Sequence, residues 1–259
     1  MTLHSGSTTI AIAVPKRPAI PPDPSQSGAF MLGDPARGSQ PDLFGRLSPT
    51  ERALVTSRGR RRRFQRGDSV FNQGHQHDGI FLIEEGLVRV FYTAASGREI
   101  TLAYWLAGNF VGGPEIFGSG INVWSGTAAR DTTGIMLAGA ELRGLVERIP
   151  ALSMGIIEGL IFKGSCYSLL AQMLGTLSVG ERLVMVLQRL TQMYGVATGE
   201  GIAIATPFTH DDLAHMVGAT RQWVSMTFRR LAEQGILRVR RGQILVLRPD
   251  WLDEHEGLE

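Results

Sequence analysis

The chain has 259 residues, 43% of them hydrophobic, and a formal net charge of +2 at neutral pH. That length and apolar content suffice for two packed domains and exclude a wholly disordered chain, while so small a net charge does not by itself mark a nucleic-acid binder. A single cysteine, Cys166, rules out an internal disulfide and any cluster held by several cysteines of one chain. No apolar run in the sequence reads as long enough to cross a bilayer, and the N-terminus lacks a continuous apolar core. A cytoplasmic protein with no membrane partner is therefore expected.

Residues 1 to 40 hold six prolines among Ser, Gly and Thr, with too few large apolar side chains to pack, and a disordered leader is expected there. Order should begin near Leu43. Phe44, Leu47, Leu54 and Val55 surround Ser48-Pro49, a start signal for a short amphipathic helix with proline in its first turn. From about 60 to 140 short β-type runs alternate with glycine turns, which predicts an all-β barrel or roll. Ile80, Leu82, Val88, Val90 and Tyr92 alternate with neighbours of the other face. Ser96-Gly97 then supplies a hairpin turn before Ile100, Leu102 and Tyr104. The four arginines from Arg60 to Arg63 read as a solvated strand end.

After Pro150 a helix of about 25 residues is predicted, too apolar on too many sides for a lone surface helix. One side should pack on the β-domain and another on the same helix of a second copy, making a homodimer. Gly155, Gly159 and Gly164 would permit close approach. Ser178 and Glu181 have the spacing of a capping box and open the next helix, with Leu183, Val186, Leu187 and Leu190 on one face. The break at Ser178 is the predicted domain boundary and hinge.

Thr209 and Asp212 repeat the capping-box spacing, Gly218 allows a tight turn, and Thr220 is placed to cap a second helix ending near Gly235. Val224, Phe228 and Leu231 recur at helical spacing and should face inward, leaving Arg221, Gln222, Ser225, Met226 and Arg229 outside. A plain helical hairpin would give the same local pattern. The next segment favours a winged helix-turn-helix: residues 236 to 247 alternate on both sides of Arg241-Gly242, as a hairpin would. Ile236, Val239, Ile244 and Val246 should close its core, with Arg238, Arg240 and Arg241 placed to meet phosphate. Residues 178 to 249 hold nine arginines against five acids, and the last ten hold five acids and no Lys or Arg, so a basic face precedes an acidic tail. The predicted contacts to double-stranded DNA are Thr209, Thr220, Arg221, Gln222, Ser225, Met226, Arg229, Arg240 and Arg241.

His75, His77 and Glu84 invite a metal reading, but their spacing is not that of a metal-binding roll and the next histidine is His210, so no metal site is assigned. Both histidines read as surface residues. Haem, for which His75, His77 or Cys166 would be the axial ligand, is not expected, and no catalytic residue is assigned.

The segments IFLIEEGLVRVF, GREITLAYWLAGNFVG, SVGERLVMVL and GATRQWVSMTFRRLAEQGIL, in this order over residues 43 to 250, resemble the Crp/Fnr family of bacterial transcription regulators. The resemblance implies an α+β architecture: a β-roll (jelly-roll-like) sensor related to cyclic-nucleotide-binding domains over 41 to 149, a long dimerisation helix over 150 to 177 and a C-terminal winged helix-turn-helix domain over 178 to 250. The leader before it and an acidic tail over 251 to 259 complete the chain. It further implies a homodimer on a near-palindromic site, with RNA polymerase as a partner.

Family members commonly open the reading helix with Arg-Glu and place an Arg four residues after that Glu; here the positions are Arg221, Gln222 and Met226. Arg221 suits a guanine edge or a phosphate. Gln222 suits adenine, each good pair being worth roughly 1–3 kcal/mol of discrimination. Met226 cannot donate, leaving a thymine methyl or simple packing. In the sensor, the family's ribose-holding Gly-Glu corresponds to Gly112 to Glu115, and its phosphate-holding Arg-Ser to Trp124-Ser125, without the arginine. An unidentified small-molecule effector other than a cyclic nucleotide is therefore expected, held by Tyr104, Glu115, Phe117, Trp124, Ser125, Tyr167 and Ser168, unless these residues serve only as core. The alternative reading is a small-molecule sensor that acts through protein partners and carries a degenerate winged helix.

Overall fold

The computed structural model describes residues 41 to 254 except 119, 206, 207 and 241, so the expected leader and the last five residues lie outside it. Helix α1 (Pro49–Arg58) begins as its sequence predicts. The Ser48 hydroxyl accepts from the Glu51 amide, and the Glu51 carboxylate accepts from the Ser48 amide. Strands β1 (Arg60–Phe64), β2 (Ser69–Phe71), β3 (Gly79–Glu85), β4 (Leu87–Thr93), β5 (Glu99–Leu106), β6 (Phe110–Val111), β7 (Ser125–Ala128) and β8 (Thr132–Ala138) come next. They form two antiparallel sheets, β1-β8-β3-β6 and β2-β7-β4-β5. Gly97, left-handed at φ +79°, closes the β4-β5 hairpin, as a side-chain-bearing residue would do only with strain.

Phe64, Phe81, Ile83, Val88, Val90, Ala103 and Trp105 share one core in the roll. Ile80 and Leu82 lie instead in a separate core with α1, helix α2 (Gly139–Val146) and the start of helix α3 (Pro150–Thr176). Strand β3 is thus covered on both faces, and β5 likewise. Ala103 and Trp105 face the roll, and Tyr104 packs into the core of the C-terminal helices. Alternation cannot select the inner face when both faces are apolar. Tyr92 of β4 and Leu54 of α1, expected to pack, are exposed.

Helix α3 is long and apolar enough to cross a bilayer by length and composition alone. Its two faces account for that composition. Leu152, Ile156, Gly159, Cys166, Leu170 and Met173 are buried, while Met154, Ile157 and Ile161 are exposed on the opposite side at spacings of three and four residues. Helix α4 (Val179–Tyr194) starts with the Ser178–Glu181 capping box and buries Leu183, Val186, Leu187 and Leu190.

Strands β9 (Gly195–Ala197) and β10 (Ile202–Ile204), helices α5 (His210–Val217) and α6 (Arg221–Glu233), strands β11 (Leu237–Arg240) and β12 (Gln243–Val246) and helix α7 (Pro249–Glu254) complete the described chain. The wing is larger than a hairpin, because β9 and β10 extend it to a sheet ordered β11-β12-β10-β9. Ile236, Leu237, Ile244 and Val246 are buried in it. Val239, expected inside, is 43% exposed, since it sits toward the hairpin tip on the edge strand. In α7, at the start of the expected acidic tail, Leu252 is buried and its carbonyl accepts from Gln188 of α4.

Candidate nucleic-acid interface and ligand cavity

Three local devices position α5 and α6. The Thr209 hydroxyl accepts from the Asp212 amide at 3.1 Å and the Asp212 carboxylate accepts from the Thr209 amide at 2.8 Å, which starts α5. Gly218, left-handed at φ +68°, ends it. The Thr220 hydroxyl then accepts from the Trp223 amide at 3.1 Å and starts α6. Val224, Phe228 and Leu231 are buried, so the opposite face of α6 is turned out with Arg221, Gln222, Met226 and Arg229 exposed. Met226 is 64% exposed, an unusual place for a thioether with no partner to cover it.

Ser225 differs from the other four. Its hydroxyl lies 2.8 Å from His210 Nδ1, and the His210 ring stands 4.9 Å from the Phe228 ring, so Ser225 ties the two helices together. Burial first, and then Arg221, push the His210 pKa below its ordinary value against the pull of Asp211, which favours the neutral ring. Arg221 is 3.7 Å from Asp211, an exposed pair that biases the guanidinium only weakly. On the wing, Arg240 is exposed and Arg241 lies outside the described residues. Arg238 pairs with Glu200 of the β9-β10 turn, and both side chains are partly exposed.

Helix α5 also packs on β5 of the roll. Arg89 donates to Thr101 and Glu99, and His215 Nδ1 lies 3.9 Å from the Glu99 carboxylate. Burial and Arg89 depress the His215 pKa, opposed by Glu99, Asp211 and Asp212.

The effector residues expected from sequence do not share one site. Trp124 and Tyr167 come together, with ring centroids 5.7 Å apart, and the Trp124 indole N–H donates to the Gly112 carbonyl at 2.9 Å. They line a cavity of about 240 Å³ with Trp105, Phe110 and Lys163. Tyr104 faces away, toward α4 and α5, because the strand pleat gives the inner position to Trp105. Phe117 lies under the Arg143 guanidinium by α2. Glu115 and Ser168 are exposed, and the Ser125 hydroxyl accepts from the Gln73 amide.

Sequence reasoning missed Trp105 and Lys163. A signal was present, since Lys163 is the only charged residue between Glu158 and Glu181. His77 is buried, contrary to expectation: its Nδ1 accepts from the Gly79 amide, and its ring fills the space that a side chain at Gly113 would need. Among the described residues no group of three His, Cys, Asp or Glu is placed to hold a metal ion.

Known sequences and structures agree with this architecture. A cyclic nucleotide-binding domain model matches residues 61 to 149 and a Crp-like helix-turn-helix domain model residues 181 to 255. The chain is 27% identical over 212 residues to the cyclic AMP receptor protein of Thermus thermophilus, covering 82% of this chain and 95% of that one. It is 25% identical over 205 residues to a CRP-like cAMP-activated global transcriptional regulator of Mycobacterium tuberculosis, covering 79% and 91%. The c-di-GMP responsive global regulator CLP of Xanthomonas campestris superposes with a TM-score of 0.70 at 19% identity, over 77% of this chain and 99% of that one.

Proposed function

The chain belongs to the Crp/Fnr family of transcription regulators, and from that premise we propose that it acts as a homodimer whose two α6 helices enter successive major grooves of a near-palindromic DNA site. The observation that carries this reading is the head of α6, where Arg221, Gln222 and Met226 stand exposed over a fully buried back. Thr209, Thr220, Arg229, Arg240 and Arg241 supply backbone contacts around them, with Ser225 holding α5 against α6. The exposed stripe of α3 forms the dimer contact, and RNA polymerase is the further partner in the cytoplasm.

An effector other than a cyclic nucleotide occupies the cavity beside α3. Relatives named for cyclic AMP motivate the comparison, and two features speak against the same ligand here. Position 124 is a tryptophan whose N–H is already used, and no arginine lines the cavity to grip a phosphate by two parallel hydrogen bonds. A ligand there touches α3 at Lys163 and Tyr167, and α3 ends at the Ser178 break that leads into the DNA-binding helices. It controls DNA binding only by favouring one arrangement of that break over another.

The test is selection of bound duplexes from a random pool, followed by a salt series on the winner. An inverted repeat whose affinity falls steeply with salt supports the reading. Arg221→Ala should weaken specific binding by roughly 1–3 kcal/mol and leave nonspecific binding nearly unchanged. Equal losses on both would make Arg221 a phosphate anchor, and no enrichment with or without cell metabolites would favour a sensor acting through protein partners.

A further inference from the structure

The arginine run from Arg60 to Arg63 stands apart from the proposed DNA contacts, and β1 sorts it onto two faces. Arg61 lies on the face of Ile135 and donates to Glu84 at 2.9 Å. Arg60 and Arg62 share the other face with Phe64, which is buried in the roll core, and both are exposed. Among the described residues neither guanidinium has a hydrogen bond, an ion pair or a ring contact. Their Cα atoms are about 7 Å apart, so the two charges repel, and an anion between them converts that repulsion into attraction. Both residues border a groove of about 380 Å³ that is also lined by β2, the edge strand of the other sheet. Half-buried Val70, Phe71 and Met136 give it an apolar wall, and exposed Asn72, His75 and Gln76 a polar one. Asp78 is the one carboxylate that borders it among the described residues. No residue of α3 lines the groove, which shares only Val111 and Gly112 with the cavity beside that helix.

We propose that this groove is a second ligand site, independent of the effector cavity, and that it takes a phosphate monoester carrying a flat apolar group. The phosphate meets Arg60 and Arg62, and the apolar group lies against Val70, Phe71 and Met136. Each guanidinium presents a planar fork of donors. The two oxygens of a carboxylate fill one fork, whereas the three terminal oxygens of a monoester serve both. A phosphodiester has only two such oxygens and a single charge, so the groove suits it less than a monoester. Two guanidiniums against one carboxylate leave a positive surplus, and apolar walls concentrate its field inside the groove. The volume falls near the lower end of the roughly 300–1,000 Å³ usual for small-molecule sites, which suits one or two rings.

The test is calorimetric titration of the full chain with 1-naphthyl phosphate, inorganic phosphate, 1-naphthoate and 1-naphthol. The ester should bind at least about tenfold more tightly than each of the other three, which lack the rings, the third oxygen or the charge. Arg60→Gln and Arg62→Gln should each weaken it by about tenfold or more, the loss expected of a hydrogen bond to a charged group. Arg63→Gln removes the same charge from the opposite face of β1 and should leave the affinity largely unchanged. All three side chains are exposed, so the variants should keep the fold, which circular dichroism checks. An equal loss in Arg63→Gln would reduce the site to diffuse attraction. Binding untouched in Arg60→Gln and Arg62→Gln would place the ester elsewhere, as in the cavity beside α3. Inorganic phosphate or 1-naphthoate binding as tightly as the ester would remove the apolar contact or the preference for phosphate. Each of these results, or no binding of the ester, overturns the proposal.

Discussion

Replacing Ile161 by glutamate tests the dimer directly, because Ile161 lies outside every core of the described chain and is 64% exposed at the middle of the outer stripe of α3. Full burial of an isoleucine side chain contributes about 1.5–3 kcal/mol. With 64% of it still exposed, about 1–2 kcal/mol remains to be gained per protomer. A twofold interface counts the residue twice, giving about 2–4 kcal/mol, or a weakening of the dimer constant by about 30- to 700-fold. Burying two carboxylates adds to that cost, so these values are lower bounds. Sedimentation equilibrium reads the dimer constant, and titration of an inverted-repeat duplex reads its consequence for DNA affinity. Met154→Glu, on the same stripe, should act in the same direction. Unchanged dimerisation in both variants would refute the assignment of this face.

Ser178→Ala removes the hydroxyl that caps α4 and should cost about 1 kcal/mol, lowering the melting temperature by about 2–4 °C in a thermal scan. Gly113→Ala places a methyl group 2.2 Å from His77 Cδ2, and since His77 is buried the ring cannot swing into solvent. Overpacking of this kind should cost about 1–3 kcal/mol in denaturant unfolding, and much less in a chain that also carries His77→Ala. Burial lowers the Lys163 pKa from 10.5 to about 7, so above pH 7 the unfolded chain holds a proton that the folded chain has released. Stability should therefore rise with pH from 7 to about 8.5, by at most about 1.4 kcal/mol per unit. Cys166 and Tyr167, shifted upward, reverse the trend at higher pH, and in Lys163→Met the rise should vanish from urea midpoints.

The capping boxes at Ser178 and Thr209 and the helix start at Ser48-Pro49 were legible in the sequence, as were the left-handed turn at Gly218 and the buried set Val224, Phe228 and Leu231, whereas the Ser48–Glu51 capping box went unread. Each depends on groups within four residues of one another, so spacing alone determines it. The exposed tips of α6 arise from the same periodicity. The bond from Ser225 to His210 was not legible, because the two lie fifteen residues apart on different helices.

What only the tertiary structure decided is which face of each doubly covered element meets which neighbour. Strand β5 is apolar on both sides, so its sequence left Tyr104 and Trp105 equally eligible for the cavity, and only the docking of α5 onto β5 assigned Tyr104 to the other side. The sequence likewise marked Lys163 as a lone charge in an apolar helix without naming its surroundings. Its meaning comes from Trp105 and Phe110, about fifty residues earlier, whose rings its amine faces. Local hydrogen bonds are determined by residues near in sequence, whereas the surroundings of such a side chain are determined only when distant strands and helices pack around it and exclude water.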